Sequence, residues 1–247
     1  MGDFLMQAAA LLASFFQSVT GVGFGMIAGP VILIVLDDPA AVVISTCMSW
    51  LISICLFPVL RRGTDLGMLA RLLGGAALGM PFGLVLLSLA TVGTLKLIAG
   101  ILIGVLTCAM IFGLPGMRRP GLAGDLVFGG LCGVFGACLA IPGPPAAIRM
   151  SGLGFDKAKV RATMVSFFFL IWPVILVGQA ATRDIGAETL WSALSLVPAT
   201  LAGIVIGNLV ATRLSERVFR NLVMGILVVM SASLLANTAI YGLGGGT

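Results

Sequence analysis

Apolar stretches separated by short polar links run the length of the chain: 4–20, 24–36, 40–60, 66–89, 94–113, 122–138, 143–154, 158–180, 189–212 and 217–240. The longer ones predict helices able to cross a hydrocarbon core of about 30 Å at 1.5 Å per residue. Two runs break the pattern. Residues 4–36 are almost continuously apolar and too long for one crossing, and their centre reads Thr20-Gly21-Val22-Gly23-Phe24-Gly25. Each glycine costs a helix about 1 kcal/mol relative to alanine. Residues 122–154 repeat the pattern, with Gly136 and then Ile141-Pro142-Gly143-Pro144-Pro145. Proline lacks the amide and clashes with the preceding turn, so this run must break as well. Each run either crosses once as a broken helix or turns back at its break as a hairpin.

Charge arbitrates. With 60% hydrophobic and 9% charged residues and a mean hydropathy of +1.19, most of the chain belongs in lipid, since a soluble domain is about 25% charged. If each broken run crosses once, one face receives Arg61, Arg62, Arg71, Arg118, Arg119 and Arg183 and the other receives the remaining eight basic residues. If each turns back, Lys96 and Arg183 stand alone against twelve. Short cytoplasmic loops concentrate Lys and Arg, which decides for hairpins and puts both termini outside, with Asp3, Asp37 and Asp38.

A hairpin followed by three crossings makes an odd number, so the two halves, 1–114 and 121–247, are inverted relative to each other. The expected fold is an all-α integral membrane protein of two inverted repeats in a single membrane domain. Sequence matches run in the same order in both halves. Thr46-Cys47-Met48-Ser49-Trp50 answers Thr163-Met164-Val165-Ser166-Phe167, and Pro30 answers Pro144. Gly75, Gly79 and Gly83 answer Ala199, Gly203 and Gly207, and Gly100 answers Gly225. The four-residue spacing of the third set marks helix-packing faces.

In lipid an irregular backbone survives only where protein or a water-filled cavity satisfies it. Inverted-repeat transporters use such breaks near the midplane, with half-helix N-termini aimed at anionic groups. The second arms begin near Gly25 and Pro144, so the amides of 23–26 and 143–147 are candidate anion donors. Around them stand Gln17, Ser18, Thr20, Gly21, Gly23, Gly136 and Gly143, with Thr46, Ser49, Thr163 and Ser166 on the helices that follow the hairpins. Arg149, close after the second break, either snorkels to the cytoplasmic surface or faces a cavity and attracts anions. Singly, each Ser or Thr could equally bond its own helix backbone.

Other chemistry is excluded by what is missing. The chain has no histidine. Asp65, Asp125, Asp156, Asp184, Glu188 and Glu216 belong to loops or helix ends, so no buried acid is expected to carry a proton or sodium ion. The five cysteines lie inside apolar segments and read as packing residues without metal-ligand spacing. No metal, cofactor, nucleic-acid partner or enzymatic activity is expected, and the partners are a small anion and the bilayer.

The run from Phe16 to Pro30, FQSVTGVGFGMIAGP, resembles the first glycine-rich motif of the TauE/SafE family of sulfite and organosulfur anion exporters. Gly133-Val134-Phe135-Gly136 through Gly143-Pro144-Pro145, and on to Val160-Arg161-Ala162-Thr163, is similar to that family's second motif. The resemblance implies transport of sulfite, sulfonates or related small organic anions across the bacterial inner membrane, and the two broken hairpins suit alternating access. Two alternatives stay open on the residues alone: an anion channel, and a membrane-embedded accessory protein without transport. The topology has a direct test. A reporter active only in the cytoplasm should be silent when fused after Thr247 and active when inserted near Arg118; the opposite pattern would rule out the hairpin arrangement.

Overall fold

The computed structural model describes residues 2–112, 121–182, 186–210, 228 and 231–236, and among these there is no strand. The helices are α1 (Gly2–Thr20), α2 (Phe24–Leu36), α3 (Ala40–Leu60), α4 (Leu66–Leu89), α5 (Val92–Phe112), α6 (Leu122–Leu139), α7 (Gly143–Gly152), α8 (Lys157–Thr182) and α9 (Ala187–Val210), with one 3-10 turn at Arg61–Gly63 between α3 and α4. Most of the expected segment 217–240 lies outside the described residues, as do Arg118, Arg119, Arg183, Asp184, Arg213, Glu216, Arg217, Arg220 and Gly225. Five described helices, α3, α4, α6, α8 and α9, are long and apolar enough to cross a membrane. Their outward faces carry large apolar side chains, such as Phe82 and Val85 on α4 and Val205 and Leu209 on α9. In water such a surface would be a liability; in lipid it is the expected solvent contact. The protein is a multi-pass, all-α membrane protein.

Both broken runs turn back. A side chain added at Gly2, at the start of α1, would meet Val35 near the end of α2 at 2.9 Å. In the second run, Arg149 in the last turn of α7 pairs with Asp125 in the first turn of α6 at 2.8 Å. Each second arm therefore ends where its first arm began. The ion pairs also sort the helix ends into two faces. Lys159 reaches Asp65 at 3.0 Å and Arg71 reaches Asp125 at 2.9 Å, so the starts of α4, α6 and α8 share one face with the end of α7. Asp65 also caps α4, its carboxylate accepting from the Met68 amide. That bond, aided by Lys159, holds the Asp65 carboxyl below the usual carboxylate range. The α4 helix then runs to the opposite face, where Lys96 at the start of α5 meets Asp37 at the end of α2 at 2.6 Å.

Two glycine rows hold the hairpins in place. Gly75, Gly79 and Gly83 on α4 press against the backbone of Leu126, Gly130 and Val134 on α6, and Gly129 and Gly133 return the contact against Leu72 and Ala76. On the other side, Gly203 and Gly207 of α9 press against the Leu11 and Phe15 carbonyls and the side chains of Ser14 and Ser18 on α1. Each first arm is thus clamped by a helix from the other half. Without a hydrophobic force between helices in lipid, this close backbone approach supplies the attraction. Gly79→Val or Gly203→Val must push backbone apart, so either should cost more than the ~1–3 kcal/mol typical of overpacking. The loss should appear as reduced folded yield and a lowered melting temperature in detergent. Gly67→Ala, where the added carbon meets only ordinary contacts, is the control and should melt like the parent.

Candidate functional site

The first break is held by its own side chains. The Thr20 hydroxyl donates to the Phe16 carbonyl at 2.8 Å and accepts from the Val22 amide at 3.1 Å. The chain then turns through Gly21 at φ +84° and Gly23 at φ +140°, conformations that glycine adopts without the Cβ penalty. Gly21 is doubly constrained, because a side chain there would meet the Arg161 backbone at 3.1 Å. Gly23 precedes α2 and brings no side-chain cap. Gln17 supplies one from the preceding helix: its Oε1 accepts from the Phe24 amide at 3.0 Å, and its Nε2 lies 3.5 Å from the Ser49 carbonyl.

The second break closes on backbone alone. Ala140 adopts the left-handed conformation at φ 58°. Its amide donates to the Gly136 carbonyl at 3.0 Å, and the Ile141 amide reaches back to Phe135 at 3.1 Å. The first of these is the αL capping bond, and together they satisfy two of the last carbonyls of α6. Pro142 follows, and α7 opens with Gly143-Pro144-Pro145, where prolines lack the amides that a first turn leaves unpaired.

The two tips touch. Gly25 lies directly on the Ala140 carbonyl, and Val22 lies against Gly143. Between them is a small cavity of about 10 Å³, room for about one water. It is lined by both tips, by Gln17, by Ser49 of α3, and by Phe168 and Trp172 of α8, with no charged side chain among its described lining. Ser49 and Trp172 are each 1% exposed. The Ser49 hydroxyl and the Trp172 indole N–H have no hydrogen-bond partner among the described residues. The amides of Gly25 and Gly143 likewise find no acceptor there. Four donors without acceptors thus belong to residues around one cavity, at the N-termini of α2 and α7. A buried unpaired donor costs about 1–3 kcal/mol, and an indole N–H can only donate, so the cavity suits a ligand rich in acceptors.

Of the residues expected at a site, Gln17, Gly23, Gly25, Ser49, Gly143 and Pro144 line this cavity, while Thr20 and Gly21 shape the first tip. The others lie elsewhere. Ser18 is buried against Gly207 in the α1–α9 contact. The Thr46 hydroxyl donates to its own helix at Val42, 2.8 Å away, and lies 3.3 Å from the Gln179 amide. Gly136 is inside α6 rather than at the break, packed near Pro142 and Ile175. Thr163 accepts from the Asp65 amide at 3.0 Å, and Ser166 bonds the Thr64 hydroxyl at 2.6 Å. Those two tie α8 to the turn before α4. Arg149 is 3% exposed and engaged with Asp125, also 3% exposed. It stands in the last turn of α7, its guanidinium 6.0 Å from the Phe128 ring centroid, and not at the tip. Trp172 also lines the cavity, and nothing in its local sequence distinguishes it from a packing aromatic.

A family model described as Sulfite exporter TauE/SafE matches residues 6–234. No curated protein and no solved structure matches the chain significantly.

The Arg149–Asp125 pair makes a stability prediction. Arg149→Ala leaves a buried carboxylate supported only by Arg71, and breaking such a pair costs about 3–5 kcal/mol. The variant should melt well below the parent in detergent. Replacing both partners with apolar residues, Asp125→Leu with Arg149→Met, should recover most of that loss, because no unpaired charge stays buried.

Proposed function

The chain belongs to the sulfite exporter TauE/SafE family, and from that membership we propose that it carries a small sulfur oxyanion, such as sulfite or a sulfonate, through the cavity between its two hairpin tips. It acts as a transporter and not as an enzyme. The observation that carries this reading is the set of four acceptor-less donors, Gly25 N–H, Gly143 N–H, Ser49 Oγ–H and Trp172 Nε1–H, around one cavity free of charged side chains. An oxyanion presents several acceptors in a small volume and needs no acidic partner. The helix N-termini add positive potential where its charge would sit.

The mechanism follows from how small the cavity is. Space for about one water admits no oxyanion of three or more heavy atoms, so the tips must part to load and unload. Alternating access assigns the parting to each face in turn, by rocking of one part of the molecule against another. The exchanged clamps, α4 on α6 and α9 on α1, support a two-fold inverted relation between 1–114 and 121–247. The described Lys and Arg residues other than Lys96 gather at one set of helix ends, which supports a cytoplasmic assignment for that face and an external one for the N-terminus. We place the protein in the bacterial inner membrane.

Proteoliposomes loaded with unlabelled sulfite should take up labelled sulfite or a sulfonate saturably by counterflow. Ser49→Ala and Trp172→Phe should each weaken apparent affinity about threefold to tenfold, the worth of one neutral hydrogen bond. Gly23→Val and Gly143→Val should abolish counterflow in protein that still inserts. Absence of saturable counterflow in the parent protein would overturn the reading.

A further inference from the structure

We propose that Arg161 is a second anion site, a dock on the face assigned to the cytoplasm, from which the substrate passes to the cavity between the tips. The inference rests on that cavity being the transport site, and it names the side chain that delivers the anion to it.

Arg161 stands one turn into α8 and is half-buried. Other described basic side chains are either paired with acids or exposed. Arg71 and Arg149 share Asp125, Lys96 meets Asp37, and Lys159 meets Asp65. Arg61, Arg62 and Lys157 are exposed. Arg161 differs from all of these. The polar partner of its guanidinium among the described residues is neutral: Nη2 donates to Asn208 Oδ1 at 3.1 Å. Its Nε–H is shielded from solvent and has no acceptor there. A guanidinium holds five donors in a planar fork that matches the oxygens of an oxyanion.

The placement gives this donor set a destination. Arg161, Phe168 and Trp172 fall at i, i+7 and i+11 of α8, close to two and three full turns, so they share one helix face. Phe168 and Trp172 line the cavity, and Arg161 stands about 10 Å before Phe168 along the axis. The first tip makes the same connection: Gly21 rests on the Arg161 backbone, Val22 lies against Gly143, and Gly23 lines the cavity. Arg161 itself is not part of the lining. It can therefore gather anions beside the cavity without fixing one inside. Val22 and the Phe168 ring meet at Gly143 and obstruct the short way between the two. Parting of the tips would draw Val22 out of that way.

A purely structural role is the competing account. A cation beside Gly21 suits the negative end of α1, and the bond to Asn208 ties α8 to α9. Neither role gives the Nε–H an acceptor.

The test is the half-saturating sulfite concentration for counterflow in proteoliposomes of the full chain, with melting in detergent as the check on folding. Arg161→Gln should raise that concentration about tenfold to a hundredfold, as expected for loss of a charge-assisted hydrogen bond. Asn208→Ala cuts the tie to α9 but leaves the charge, and should transport like the parent. Asn208→Asp decides between the accounts. It pairs the guanidinium with a carboxylate, so it should melt at or above the parent and yet need about tenfold more sulfite. If Arg161→Gln does not fold, Asn208→Asp carries the test alone. Parent-like half-saturation in Asn208→Asp would overturn the dock. So would a loss in Asn208→Ala equal to that in Arg161→Gln, which would assign Arg161 to holding α8 on α9. No saturable counterflow in the parent would instead overturn the transport reading.

Discussion

A helix that breaks inside a membrane leaves amides and carbonyls that lipid cannot satisfy, and the protein must supply every partner. This constraint organises the molecule. At the first break Thr20 folds onto Phe16 and Val22, and Gln17 reaches from α1 to cap α2 at Phe24. At the second, Ala140 accepts a left-handed conformation so that two amides can return to Phe135 and Gly136. That geometry costs a non-glycine residue about 1–2 kcal/mol, and it presents the Ala140 carbonyl as the surface on which Gly25 rests. Among the donors left without an acceptor after these devices are those of Ser49 and Trp172, which line the cavity where the tips meet.

Satisfying the breaks locally would not hold the hairpins against each other. The glycine rows do that, and they do it across the two halves: α4 grips α6, and α9 grips α1. Neither hairpin has its clamp within its own half. Among the described residues, the packing of the first arms thus crosses between the earlier and later parts of the sequence. The same arrangement means that a shift of α4 must carry the second hairpin's first arm with it, since backbone packed on backbone at glycine has no side chain that could yield between them.

The breaks themselves were legible because glycine and proline report backbone needs directly. Thr20 to Gly25 and Ile141 to Gly143 mark the turns, and the four-residue glycine spacing marks the clamps. Gly136 lies inside α6, near Pro142 and Ile175, because glycine also permits close packing within a helix. The polar residues were less legible, since a Ser or Thr at one helix position reads the same whether it faces a cavity, its own carbonyl or a neighbouring loop. Ser49 faces the cavity, Thr46 bonds Val42, and Ser166 bonds Thr64. Only the rotation of each helix decides, and that is fixed by packing with elements more than a hundred residues away. Arg149 was ambiguous because its partner, Asp125, lies at the far end of the other arm, and hairpin closure brings them together.

The fate of Arg149 bears on how a carrier of anions can work at all. An arginine at the tips would hold an anion with a fixed, full charge in either conformation, and a ligand held that firmly leaves slowly. Here the arginine is engaged by a carboxylate at the base of the hairpin, and the described lining of the cavity holds no charged side chain. In the proposed transport reading, the unpaired donors of the two tips converge on an anion only while both tips face the same point. Parting the tips would then weaken binding at the same moment that it opens a path, which couples closure to affinity in a way that a permanently charged pocket would not.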